Sequence, residues 1–78
     1  MNCAIYRSGS RRDTYLYVEG EGDLSRVPDT LLRLLGKLEP IMTLALSPDR
    51  KLAQADVTQV MRSLSECGYY LQLPPKSI

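Results

Sequence analysis

Histidine, phenylalanine and tryptophan are all absent from this chain of 78 residues. Without histidine there is no Ser-His-Asp or Cys-His couple, no imidazole metal ligand and no histidine pH switch. Without phenylalanine or tryptophan, five tyrosines are the only aromatics, and each brings a hydroxyl that needs a partner when buried. Cysteine is scarce. Cys3 and Cys67 stand near opposite ends, whereas a small secreted scaffold carries about four to eight. No purely aliphatic run exceeds three residues, as in Leu44 to Leu46, far short of the roughly 20 that span a bilayer. The opening residues pass at once into Ser8, Gly9, Ser10, Arg11 and Arg12, without the apolar stretch of a leader. The expectation is a soluble, reduced, cytoplasmic protein whose two cysteines act as small hydrophobes. The motifs G-x-S-x-G, C-x-x-C, G-x-G-x-x-G and the Walker loop are missing too.

Hydrophobic residues make up 44% and charged residues 24% of the chain, with 10 Lys+Arg against 9 Asp+Glu. That balance suits one globular domain and gives no global pull toward nucleic acid or membrane. A core this small supplies roughly 3–5 kcal/mol of net stability.

Residues 3–7 suit a strand, 8–13 a polar hairpin loop, and 14–18 a second strand of β-branched, aromatic and leucine residues. Two glycines and three acids at 19–23 break it. Pro28 opens a helix at the position where its missing N–H does no harm. Leu31, Leu34, Leu35 and Leu38 then share one stripe, with Leu32 beside it. Gly36 ends that helix in a left-handed cap, leaving 37–40 as a connection. Residues 41–46, apolar on both faces, read as a central strand covered on each side. Asp56 and Gln59 resemble a capping box ahead of the stripe Val57, Val60, Met61, Leu64, which Cys67 extends. Gly68 closes the second helix and residues 69–73 form the last strand. The reading is β-β-α-β-α-β, a four-stranded mixed sheet with a helix on each face, an α/β/α sandwich.

Two stretches carry a family resemblance. One is Ile5-Tyr6-Arg7-Ser8 with Thr14-Tyr15-Leu16-Tyr17-Val18, continuing into Leu24-Ser25-Arg26-Val27-Pro28. The other is Gly68-Tyr69-Tyr70-Leu71-Gln72-Leu73-Pro74-Pro75, preceded by Lys51-Leu52-Ala53 and Ala55-Asp56. Together they resemble the YcgL domain, a small family of gammaproteobacterial proteins. The resemblance implies a cytoplasmic bacterial α/β/α domain over residues 1–75, and it implies no established activity. Members often carry a variable tail after the Pro-Pro pair. Residues 76–78 are therefore expected to be a short tail, either of a short member or of one whose tail was removed.

Arg7, Arg11 and Arg12 gather at the first hairpin, interleaved with Tyr6, Tyr15 and Tyr17. They are the candidate binding surface: arginines could hold phosphates while Tyr15 and Tyr17, two apart on one strand, stack bases. Against this stands a solvated loop beside core tyrosines. In the last strand Tyr69, Leu71 and Leu73 face one way, Tyr70 and Gln72 the other. Gln72 either meets solvent or anchors a buried hydrogen bond. The signature residues Tyr69, Tyr70, Gln72, Pro74 and Pro75 could form a recognition groove or strand-pairing edge, or the prolines could simply blunt it. Glu19, Glu21 and Asp23 lack the bidentate glutamate of a calcium loop and read as a solvated turn. Tyr15, Arg7 and Asp13 could be drawn into a phosphoryl-transfer site, yet nothing in their spacing demands it. The expectation is a non-enzymatic protein-binding or adaptor module without cofactor or metal; the alternative is an RNA-associated module using the basic hairpin.

Overall fold

Apolar residues at 3–6 and 15–18 pair as a hairpin whose loop passes through Asp13, held at φ 54°. The computed structural model describes residues 1–20, 22–49 and 56–74. Its elements are β1 (Asn2–Ser8), β2 (Tyr15–Glu19), α1 (Asp29–Leu35), β3 (Leu38–Ala45), α2 (Val57–Glu66) and β4 (Tyr69–Gln72). They make a small α/β domain with one sheet in the order β3-β1-β2-β4.

Every pairing in that sheet is antiparallel, which corrects the mixed sheet expected from the sequence. The chain from β2 through α1 does return parallel to β2, but β3 lands beyond β1 rather than beside β2. No two parallel strands therefore touch. The same order corrects the placement of residues 41–46: β3 is an edge strand, and Ile41 and Met42 are 42% and 52% exposed. Its apolar character on both faces has a local cause. The β1–β3 register shifts between Ile5 and Tyr6, so that Ile5 opposes Met42 while Tyr6 opposes Pro40. Ile41 is the extra residue of a bulge. Below it Leu44 packs against the cluster that holds Cys3 and Ile5; above it Leu38 packs against the other cluster, which holds Leu16 and Leu35.

Two apolar clusters take alternate residues of the central hairpin. Cys3, Ile5 and Tyr17 meet Val57, Val60 and Leu64 of α2. Ala4, Leu16 and Val18 meet Val27 and Leu35, with Leu31 and Leu32 packed against them. In α1, Leu34 is 48% exposed and Leu38 already belongs to β3, so the helical stripe narrows to Leu31, Leu32 and Leu35. Pro28 is the residue before the first turn and has no side-chain cap bond. Gly36 follows with φ 71° and ψ −147°, a positive φ outside the compact left-handed well. It leads through Lys37 straight into β3, which leaves no room for the four-residue connection expected.

The α2 helix follows its sequence signals more closely. The Asp56 carboxylate accepts from the Thr58 N–H at 2.9 Å, a cap that does not engage Gln59. Gly68, at φ 85°, donates its N–H to the Ser63 and Leu64 carbonyls. A Cβ there would lie 2.7 Å from the Arg26 side chain, so both conformation and space call for glycine. Cys67 is exposed while Cys3 is buried; the expected hydrophobic role holds for Cys3 and fails for Cys67, which lies past the last buried turn.

Two neighbouring leucines test this packing. Leu35→Ala should cost about 2–5 kcal/mol, enough to leave much of the protein unfolded, because it empties a closed core site. Leu34→Ala should stay within about 0.5 kcal/mol. Urea unfolding followed by circular dichroism measures both.

Candidate functional site

The hairpin tip is pinned to the end of α1 by backbone groups. The Ser8 hydroxyl donates to the Leu35 carbonyl at 2.5 Å and accepts from the Arg11 N–H at 2.9 Å. Gly9 N–H donates to the Lys37 carbonyl at 2.8 Å, and Ser10 N–H to that of Leu35 at 3.2 Å. The bonds to Leu35 satisfy a carbonyl that the helix end leaves over, and the tip carries Arg11 and Arg12, both exposed. Arg7 is held apart from them. Its guanidinium donates to the Glu39 carboxylate at 2.6 Å, and that bond and charge raise its pKa further.

The tyrosines do not form the open platform that their spacing suggests. Tyr17 is only 6% exposed, on the face packed by α2. Its hydroxyl donates to Gln72 Oε1 at 2.8 Å, and its ring meets that of Tyr70 edge-on at 5.7 Å. Gln72 thus anchors a buried hydrogen bond, one of the two alternatives open in the sequence. Tyr15 is half-buried in the same cluster and Tyr6 in the other, so the three rings are divided between two faces. Tyr17 is removed from the candidate surface because ring and hydroxyl are both committed to the interior.

A second surface lies at β4. The Ser8 N–H donates to the Thr14 carbonyl and the Gly20 N–H to that of Asn2, so the even residues of β2 bond toward β1. The odd ones then bond toward β4, making Tyr17 with Tyr70 and Tyr15 with Gln72 the bonded pairs. The backbone groups of Tyr69 and Leu71 consequently point off the edge of the sheet. Beside them runs an apolar groove of about 490 Å³, lined by Pro28, Thr30, Leu31, Leu34, Tyr69 and Leu71. Sequence reasoning found Tyr69 but missed the wall made by α1. No local signal marked it, because Leu34 and Leu35 are equally apolar and read as one stripe.

A family model for the YcgL domain matches residues 3–75. The chain belongs to the YcgL family. A YcgL domain-containing protein of Klebsiella pneumoniae is 54% identical over 77 residues, covering 99% of this chain and 83% of that protein. Protein YcgL of Escherichia fergusonii is 52% identical over 75 residues, or 96% and 77% of the two chains. A longer protein of Nitrosococcus oceani, named "Putative HAD-like hydrolase", is 58% identical over 72 residues; this chain spans 19% of its length.

In this YcgL domain the acidic loop turns on itself. The Ser25 hydroxyl and N–H donate to the Asp23 carboxylate at 2.6 and 3.0 Å, which holds its pKa below the usual carboxylate range. Glu19 faces Arg26 at 3.7 Å. Glu21 and Pro75 lie outside the described residues, and Pro74 is exposed. No helix of the described residues is long and apolar enough to cross a membrane.

Burial raises the pKa of the Tyr17 hydroxyl above its ordinary 10.0. The folded state therefore favours neutral tyrosine: that contribution is complete below the ordinary pKa and is lost as pH rises through the raised one. Stability should fall on the alkaline side, and Tyr17→Phe should flatten that part of the profile. The same substitution should cost about 0.5–1.5 kcal/mol at neutral pH through the lost hydrogen bond. Thermal melts across an alkaline series measure both effects.

Proposed function

We propose that this YcgL domain is a non-enzymatic protein-binding or adaptor module of the bacterial cytoplasm, built as an α/β/α sandwich with one helix on each face of its sheet. The division of the hairpin's side chains between two clusters supports that layering. The observation that carries the function is the uncharged groove beside the β4 edge, a surface suited to another chain and to no charged small molecule. The occurrence of a closely similar segment within the much longer Nitrosococcus protein fits a unit that serves larger partners.

A second reading, an RNA-associated module, draws on Arg7, Arg11 and Arg12 of the first hairpin. It is weakened by the burial of Tyr17, which leaves phosphate contacts without a stacking pair.

Affinity capture from cells at low salt, with and without ribonuclease, tests the two. The same protein partner should return in replicate captures after ribonuclease treatment, rebind as a purified component, and survive the triple change Arg7→Ala, Arg11→Ala, Arg12→Ala. Capture that ribonuclease or the triple change abolishes, with a steep salt dependence, would establish the RNA reading instead. Repeated captures with nothing above background would end the adaptor reading.

A further inference from the structure

We propose that the groove between α1 and β4 takes a short, extended, apolar peptide segment of a partner protein, which adds as a fifth strand on the β4 edge. This rests on the protein-binding reading and specifies how such a partner is held. The phase of the β2–β4 ladder is the first reason. Tyr69 and Leu71, whose backbone groups point off the edge, are the same residues whose side chains line the groove. A strand that bonds to them runs along the open side of that groove and sends every second side chain toward Leu34 and Leu71.

The two edges of the sheet are not equivalent. On β3, Pro40 sits opposite Tyr6 in a pair whose backbone groups face outward, so the outer edge lacks a donor there, and the bulge at Ile41 interrupts the line. Both features hinder strand addition. On β4 the residues from 67 to 75 carry no charge at all, and the first proline comes only after the strand has ended.

Size decides what fits. A stable contact between two folded surfaces uses about 20–30 residues a side, and this groove offers six. That is too little for a second copy of this chain and sufficient for a peptide. The four residues of β4 match a strand segment of about 13 Å, and α1 walls about 10 Å of it. The recognised unit is therefore two apolar side chains at i and i+2. No charged residue lines the groove, so neither of the two is charged.

Selection of phage-displayed random dodecapeptides on the purified full chain tests this. Enriched sequences should carry apolar residues at i and i+2, and their binding should shift the amide resonances of Tyr69 and Leu71. Methylating alternate peptide amides should weaken binding at least about tenfold in one phase and spare it in the other. Leu34→Asp should weaken it as much without altering the melting temperature, because that side chain is half exposed. Enrichment with helical spacing, loss in both methylation phases, or no enrichment would overturn the proposal. So would concentration-dependent dimerisation that Leu34→Asp abolishes, which assigns the groove to a second copy. A purified protein partner that still binds Leu34→Asp overturns the groove while leaving the adaptor reading intact.

Discussion

The register of the β1–β2 hairpin is the constraint on which the rest of the domain depends. These two strands are the middle of the sheet, and their side chains alternate between two separate apolar clusters. Shifting the pairing by one residue would mix the two clusters at once. Cys3 and Ile5 would share a face with Leu16 and Val18, and Ala4 would share one with Tyr17. Each helix therefore reads the hairpin in one phase only, and the two readings reinforce each other. A chain with so small a core has little stability to spare for ambiguity.

Polar contacts at the ends of the sheet support that register. The Ser8 hydroxyl is buried at the tip and serves three partners, donating to the Leu35 carbonyl and accepting from the Ser10 and Arg11 N–H groups. At the level of Tyr15, the bond from Tyr17 to Gln72 places a polar pair inside a cluster that would otherwise be indifferent to which strand lies beside β2. Such a bond adds little net stability, but mispairing it would strand a buried amide. Because the chain holds no phenylalanine or tryptophan, its large core aromatics bring hydroxyls with them. The hydroxyl of Tyr17 has become a fastener.

Much of this was legible from local signals. Hairpin, helix and last strand follow directly from the β-branched, aromatic and leucine residues at 14–18, the stripe Val57, Val60, Leu64 and the glycine at 68, since each rests on contacts a few residues apart. The alternation that sends Tyr69 and Leu71 to one face and Tyr70 and Gln72 to the other was equally plain. Strand order was not, because it depends on where each crossover lands, and residues 41–46 look the same whether central or bulged at an edge. Leu34 and Leu35 are likewise indistinguishable by hydrophobicity; only the direction in which α1 crosses the sheet separates a core leucine from a groove leucine. The resemblance to the YcgL family supplied the family itself, which the relatives then established, and no activity came with it.

The bulge in β3 has a consequence for how this family can vary. Because Ile41 is the extra residue that turns Leu38 toward one cluster and Leu44 toward the other, the length of the strand carries information that its composition does not. An exchange among similar side chains at Ile41 or Met42, both largely in solvent, changes little. Gaining or losing a single codon there would rotate half the strand and turn one of those leucines out into water. In an alignment of such chains the segment should look permissive in identity and rigid in length, the reverse of what an exposed edge normally suggests.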